Sequence, residues 1–181
     1  MNELVRNLTI ASLQLAPLTP AIGAEVSGVD LARPLDAETV SALRTALLRL
    51  FGARLGLDVV VRSGANITFP WRFTAGDHVW IGEDVLVLSL APVTLGSHVC
   101  VSQRAFLCSG SHAWRRETFD LRTRPIVVGD SVWIAAQAFV GAGVTIGSGS
   151  VVRVGAVVTV NVPDNSLARG NPATIVPKDI V

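Results

Sequence analysis

The chain has 181 residues, enough for one domain with a small appendage, and its formal net charge is +1. Apolar residues make up 50% of the chain and charged residues 16%, and the absence of a basic tract argues against nucleic-acid binding. The longest apolar runs are far shorter than the ~20 residues of a membrane-spanning helix. Two cysteines do not make a disulfide framework, and the N-terminus lacks the layout of a secretory signal peptide. We therefore expect a cytoplasmic protein with reduced cysteines and no membrane span.

The first 50 residues are predicted to form a strand-turn-helix segment. Residues 8–15 and 24–29 have strand-like composition, and the prolines and glycine between them indicate a turn. Asp36 precedes a helical pattern and suits the N-cap position, and Glu38 lies in the first turn. The helix is expected to end near residues 51–52, and its apolar stripe consists of Val40, Leu43, Leu47 and Leu50.

Residues 51–163 follow a different rule, in which an apolar residue recurs every six positions and a step of eight joins the earlier groups of three. This period indicates a parallel β-helix, in which three hexapeptides form one triangular coil and successive coils stack ~4.8 Å apart. The sequence therefore predicts an all-β solenoid, followed by a C-terminal tail over residues 164–181. The recurring positions are Leu55, Val61, Ile67, Ala75, Ile81, Val87, Leu95, Val101, Leu107, Val128, Ile134, Val140, Ile146, Val152 and Val158.

The repeat is interrupted once, between Leu107 and Val128, and about fifteen residues must leave the solenoid there as a protruding loop over residues 109–127. Loops on a rigid scaffold commonly carry function. The loop contains His112, whose imidazole is a natural general base near neutral pH. Judged by position alone, His112 is equally well a solvated loop residue.

Two further histidines, His78 and His98, are twenty residues apart and should stack on adjacent coils. One interpretation is a zinc site of the γ-carbonic-anhydrase type, which needs three histidines. No third ligand falls on the same row of the solenoid, and surface histidines at turns are the alternative interpretation. We expect no metal.

Residues 18–48, with the sequence LTPAIGAEVSGVDLARPLDAETVSALRTALL, resemble the N-terminal segment of taurine-type 2-oxoglutarate-dependent dioxygenases. That family's iron site needs a His-x-Asp pair, and the three histidines of this chain occur in HVW, HVC and HAW. We therefore carry over no iron site. A solenoid end exposes core and a strand edge, so the segment is interpreted as a cap.

From residue 51 onward the chain resembles the colanic-acid-type exopolysaccharide acetyltransferases, which are hexapeptide-repeat acyltransferases. The resemblance implies a left-handed parallel β-helix, a homotrimer, acetyl-CoA as donor, and a sugar or lipid-linked glycan as acceptor. The segments that carry it are FGARLG (51–56), ITFPWRFTAGDHVWIGE (67–83), LAPVTLGSHVCVSQRAFLCSGSH (90–112), PIVVGDSVWIAAQAFVGAGVTIG (125–147) and GNPA (170–173).

The resemblance also implies roles for particular residues. The SGSH string matches the family's catalytic loop, so His112 would deprotonate the acceptor hydroxyl, and the N–H of Ala136 would bind the oxyanion. The acetyl-CoA groove would pass Val154 and Thr159. The remaining candidates are Arg153, Arg169 and Lys178 for the CoA phosphates, and Ser89, Trp71 and Trp114 for the acceptor.

Three positions depart from the family pattern. Ala113 replaces an aspartate that commonly follows the loop histidine, Ser89 stands where an asparagine is frequent, and Val160 replaces a lysine. These departures motivate an alternative function, a trimeric β-helix scaffold with impaired catalysis.

Overall fold

A computed structural model describes residues 14–17, 24–28, 32 and 34–178 of the chain. Near the N-terminus, strands β1 (Gln14–Pro17) and β2 (Ala24–Ser27) pair in antiparallel fashion, and helix α1 (Ala37–Leu50) follows them. Most of the strand predicted at residues 8–15 lies outside the described residues. Within the described part of the chain, no helix is long and apolar enough to cross a membrane.

Helix α1 begins and ends where its sequence signals place it. The side chain of Asp36 accepts a hydrogen bond from the N–H of Thr39 at 2.7 Å, and residue 51 is the C-cap. This hydrogen bond lowers the pKa of the Asp36 carboxyl. Leu48 packs against the solenoid core, and Arg49 donates to the carbonyl of Gly56 at 2.8 Å. The helix therefore covers the first coil, as the cap interpretation predicts.

The rest of the chain forms a parallel β-solenoid of about six coils, bounded by three sheets that we number in the order in which each coil visits them. Sheet 1 contains β3 (Arg54–Leu55), β6 (Phe73–Ala75), β9 (Val93–Leu95), β14 (Ile126–Val128) and β17 (Thr145–Ile146). Sheet 2 contains β4 (Val60–Val61), β7 (Trp80–Ile81), β10 (Cys100–Val101), β15 (Trp133–Ile134), β18 (Val151–Val152), β20 (Ser166–Arg169) and the antiparallel β21 (Thr174–Pro177). Sheet 3 contains β5 (Asn66–Ile67), β8 (Leu86–Leu88), β11 (Phe106–Cys108), β16 (Phe139–Val140) and β19 (Val157–Val158).

The six-residue rule places one apolar side chain per strand in the core. In sheet 2, Val61 is in register with Ile81, Ile81 with Val101, and Val101 with Ile134, and all four are at most 2% exposed. Because side chains alternate across a strand, the neighbouring residues face outward. The predicted all-β solenoid with an N-terminal cap is confirmed.

The three sheets meet at three corners. The first corner joins sheets 1 and 2, and its turns include residues 77–78 and 97–98. The second corner joins sheets 2 and 3, and its turns lie at residues 63–64, 83–84, 103–104, 136–137 and 154–155. The third corner joins sheet 3 to sheet 1 of the next coil.

The protruding loop leaves the solenoid at the third corner and is itself a β-hairpin. Its strands are β12 (Gly110–His112) and β13 (Leu121–Thr123), which pair in antiparallel fashion. Ser109 at its base is fully buried, and its hydroxyl accepts a hydrogen bond from the N–H of Ala91 at 2.8 Å. The excursion therefore spans residues 110–125, within the predicted loop, and the coil resumes at the buried Ile126.

Candidate active site

His112 lies at the end of β12, exposed on the hairpin, with its backbone in register with Leu121. Its Nδ1 atom lies 3.0 Å from the carbonyl oxygen of Phe119. Since a carbonyl only accepts, Nδ1 must carry the proton, and the neutral ring keeps its lone pair on Nε2. Within the described residues no hydrogen bond to Nε2 is formed, so its lone pair is available to accept a hydrogen bond.

The aromatic residues predicted for the acceptor also lie at the third corner. Trp71, in a single 3-10 turn at Pro70–Arg72, is 61% exposed, and Trp114 on the hairpin is 69% exposed. The guanidinium of Arg115 lies over the Trp114 ring, 4.7 Å from its centroid. Both indoles can offer a face to a sugar ring.

Ser89 lies at the same corner but faces the interior. It is fully buried, and its hydroxyl accepts from the N–H of Phe69 at 3.0 Å and donates to the carbonyl of Phe69 at 3.1 Å. A hydrogen bond donated by Ser89 to an acceptor would require breaking its bond to the Phe69 carbonyl and exposing the buried hydroxyl.

Ala136 lies elsewhere, at the second corner. Within the described residues its N–H has no hydrogen-bond partner, while its carbonyl accepts from the N–H of Gly155 at 3.0 Å. Val154 is exposed in the turn immediately above it. A cleft of about 410 Å³ follows this corner and is lined by Glu83, Asp84, Gln103, Arg104, Ala136 and Gln137.

Two of the predicted phosphate contacts lie beside this corner. Arg153 donates its N–H to the carbonyl of Ala168 at 2.9 Å, so Arg153 and Arg169 are at adjacent strand ends. Both side chains are exposed, and neither forms an ion pair within the part of the chain that the structure describes.

The cleft contains one carboxylate with a shifted pKa. The side chain of Arg62 donates to Glu83 at 2.8 Å, and this hydrogen bond lowers the pKa of the Glu83 carboxyl. Glu83 is therefore ionised at neutral pH and is a weaker base than an imidazole.

A single chain does not bring His112 and Ala136 together. The second and third corners are separated by the width of sheet 3, and the five or six residues along one face of a coil span about 15–20 Å when extended. A site that uses both residues must therefore take them from different copies of the chain.

Comparison with known proteins places this geometry in a family. No family model matches the chain. The colanic acid biosynthesis acetyltransferase WcaF of Escherichia coli K12 is 44% identical over 133 residues, which cover 74% of this chain and 73% of WcaF. The hexapeptide-repeat-containing acetyltransferase VCA0836 of Vibrio cholerae O1 biovar eltor, whose structure contains acetyl-CoA, is 35% identical with a TM-score of 0.71. That match covers 80% of this chain and 78% of VCA0836.

The chain belongs to the hexapeptide-repeat acetyltransferases. A galactoside acetyltransferase in complex with coenzyme A has a TM-score of 0.70 at 23% identity, covering 78% of this chain and 72% of that one, and this match shows the fold alone. The comparisons do not show the resemblance of residues 18–48 to the dioxygenases, and part of that segment lies outside the described residues.

The other two residues that this acetyltransferase was predicted to use for binding acetyl-CoA, Thr159 and Lys178, do not lie at the second corner. Thr159 is exposed at the third corner, next to Gly141 of the preceding coil. Lys178 is at the first corner, and its Nζ donates to the carbonyl of Gly149 at 3.0 Å. Lys178 therefore does not join Arg153 and Arg169.

The two turn histidines stack at the first corner, as predicted. The ring centroids of His78 and His98 are 4.9 Å apart, and Nδ1 of His78 lies 3.2 Å from Oδ2 of Asp58. Among the described residues, no group of three or more His, Cys, Asp or Glu side chains could hold a metal ion.

Sequence reasoning missed the contact between Phe119 and His112. The two residues are seven apart in the chain, and they meet only because the hairpin returns in an antiparallel register. A prediction of where the hairpin turns, made from the sequence of the loop, is the signal that could have indicated this contact.

Proposed function

We propose that this acetyltransferase transfers an acetyl group from acetyl-CoA to a hydroxyl of a sugar or an exopolysaccharide precursor, with His112 as general base. The observation that carries the proposal is the hydrogen bond from Nδ1 of His112 to the Phe119 carbonyl, since it leaves Nε2 as an exposed acceptor. The relatives support the proposal, because the structure of VCA0836 contains acetyl-CoA and WcaF is named for colanic acid biosynthesis.

The proposed reaction is a direct attack. Nε2 of His112 takes the proton of the acceptor hydroxyl while the hydroxyl oxygen bonds to the thioester carbonyl carbon. The tetrahedral intermediate then collapses, the bond between carbon and sulfur breaks, and the leaving CoA sulfur receives the proton from the imidazolium. No residue of the protein becomes acetylated, so Cys100 and Cys108 have no role as nucleophiles.

The oxyanion of the intermediate is assigned to the N–H of Ala136. Because this backbone N–H has no hydrogen-bond partner among the described residues, it can bind developing charge without first giving up a bond there. In the same proposal, the pantetheine arm passes Val154 and Thr159, and the CoA phosphates bind Arg153 and Arg169. Trp71 and Trp114 hold the acceptor beside His112.

The proposed assembly is a homotrimer in which the third corner of one copy faces the second corner of the next. This arrangement supplies His112 from one chain and Ala136 from its neighbour, and three such heterologous contacts close a ring. Outward apolar side chains on sheets 2 and 3 support an interface there, because exposed apolar patches of this kind mark association sites. They include Trp80 and Trp133 on sheet 2 and Leu86 and Phe106 on sheet 3.

The experiment measures thiol release from acetyl-CoA with a panel of free sugars and lipid-linked glycans. The wild type is compared with His112→Ala and with His98→Ala, a matched change of an exposed histidine at the first corner. We expect loss of acceptor-dependent release by about 10²–10⁴-fold for His112→Ala alone. Equal rates in all three proteins would refute the base, and no release with any acceptor would favour the scaffold alternative.

A further inference from the structure

The imidazole of His112 is held against the aromatic ring of Phe119. The ring centroids are 4.4 Å apart and the ring planes differ by 11°, so the two rings stack face to face. The carbonyl that receives the Nδ1 hydrogen bond belongs to the same residue. Phe119 therefore contacts the imidazole with its side chain and with its backbone at once.

Phe119 can make both contacts because its backbone is left-handed. Its φ is 47°, a conformation that bulky L-residues rarely adopt and that persists only where neighbouring structure holds it. The turn provides that structure: Phe119 donates its N–H to the carbonyl of Arg116 at 3.0 Å, and Ala113 donates to the carbonyl of Asp120 at 2.8 Å. The hairpin turn is thus built around an unfavourable residue whose replacement by glycine or asparagine would relieve the backbone.

The stacked Phe119 ring restricts the rotation of the His112 imidazole, which is otherwise exposed on the hairpin. An imidazole can turn about its last side-chain bond with little preference, and water competes for a single exposed hydrogen bond. Ala113, the next residue in the chain, is buried and has no polar side chain that could hold the ring. A neutral aromatic face restricts the ring plane and covers the Nδ1 hydrogen bond without adding charge.

From these contacts we infer that Phe119 is a positioning residue for His112, which fixes the tautomer with the proton on Nδ1 and aims Nε2 at the acceptor. The inference rests on the proposed function for its effect on rate, since only a base at Nε2 needs that tautomer. Its effect on the state of the imidazole does not depend on that function.

The test compares three variants of the full-length protein. Phe119→Asn and Phe119→Gly suit the left-handed backbone and retain the carbonyl but remove the ring, whereas Phe119→Tyr retains the ring. Nitrogen NMR of the labelled imidazole reports which ring nitrogen of neutral His112 carries the proton. Acceptor-dependent thiol release gives kcat and the KM for acetyl-CoA.

We expect the wild type and Phe119→Tyr to show the Nδ1-protonated tautomer and rates within about twofold of each other. Phe119→Asn and Phe119→Gly should show a mixture of tautomers and a kcat reduced about 10- to 100-fold, with the KM for acetyl-CoA unchanged within about twofold. In a His112→Ala background, Phe119→Asn should change the residual rate by less than about twofold, because the residue acts through the imidazole.

An unchanged tautomer in both ring-less variants would overturn the inference, as would an unchanged kcat in a protein whose His112→Ala variant is inactive. Mixed tautomers combined with full activity of His112→Ala would support the positioning of the ring and refute the proposed base. The failure of the inference is thereby distinguishable from the failure of the proposed function.

Discussion

Gly155 donates its backbone N–H to the carbonyl of Ala136 at 3.0 Å, and this bond stacks two successive turns of the second corner directly on each other. Ala136 lines the cleft that begins at Glu83, and Val154 lies in the turn stacked on it, so these two residues predicted to contact acetyl-CoA are neighbours at one corner. His112 and Thr159 belong to the third corner, across sheet 3. Because sheet 3 separates these two corners, it can be tested whether one active site takes residues from two copies of the chain.

The N–H of Ala136 is the first target. Ala136→Pro removes this donor without breaking a hydrogen bond inside the described chain, because the group has no partner there. We expect kcat for acetyl transfer to fall about 10²–10³-fold, the usual effect of losing one oxyanion donor. Ala136→Ser retains the N–H and should stay near the wild-type rate. A Pro variant with intact circular dichroism and full activity would exclude Ala136 from the site.

Mixing two inactive variants tests whether the site is shared between copies. In the proposed ring, a site formed by the His112 of an Ala136→Pro chain and the N–H of a His112→Ala chain is complete. Random assembly from equal amounts of the two chains gives such a site at about a quarter of all interfaces. We therefore expect co-refolded or co-expressed mixtures to regain about a quarter of the wild-type thiol-release rate.

The control for this experiment is the double variant, which carries both substitutions in one chain, mixed with the wild type. Mixing with the double variant should only lower the rate, because a chain that lacks both groups cannot complete a site with its neighbour. If the mixed single variants stay as inactive as each alone, while native mass spectrometry shows mixed trimers, then both residues act within one chain or one of them is not used.

The sequence predicted the solenoid well because one physical rule repeats along it. An inward side chain at every sixth residue determines the strand, the register and the core at once, so Ile81, Val101 and Ile134 could be aligned by counting. The interruption after Leu107 likewise located the hairpin. Counting also placed the histidine stack, since His78 and His98 occupy the same turn on neighbouring coils.

The directions in which individual side chains point were not predictable in the same way. Ser89 is buried, with its hydroxyl bonded to the backbone of Phe69 one coil away. Lys178 follows an antiparallel strand that the six-residue rule does not describe. The Phe119 contact depends on the turn inside the hairpin. Each of these side-chain contacts depends on a segment elsewhere in the chain, and the local sequence does not show how the two segments align.

The buried hydroxyl of Ser89 should be a stability determinant. Ser89→Ala leaves the N–H of Phe69 without its partner, and an unsatisfied buried donor costs about 1–3 kcal/mol. We expect the free energy of unfolding in urea to fall by that amount, measured at one protein concentration because assembly contributes to stability. Ser111→Ala, an exposed serine of the hairpin, is the control and should change it by less than about 0.5 kcal/mol. Equal effects of the two changes would contradict the structural role of Ser89.

The N-cap of helix α1 gives a prediction about pH. The hydrogen bonds from the backbone and side chain of Thr39 lower the pKa of Asp36 below its ordinary value of 3.8, so the folded state favours the ionised carboxylate. The stabilisation is therefore complete above the ordinary pKa and is lost as the pH falls through the lowered one. We expect Asp36→Ala to lower the Tm at pH 7 and the difference from the wild type to narrow below about pH 4. Asp36→Asn, which retains an accepting oxygen, should lie between the two at pH 7, since asparagine is also a good N-cap. Thermal unfolding followed by far-ultraviolet circular dichroism at several pH values makes the measurement, and a difference between Asp36→Ala and the wild type that widens on acidification would contradict the assigned direction of the pKa shift.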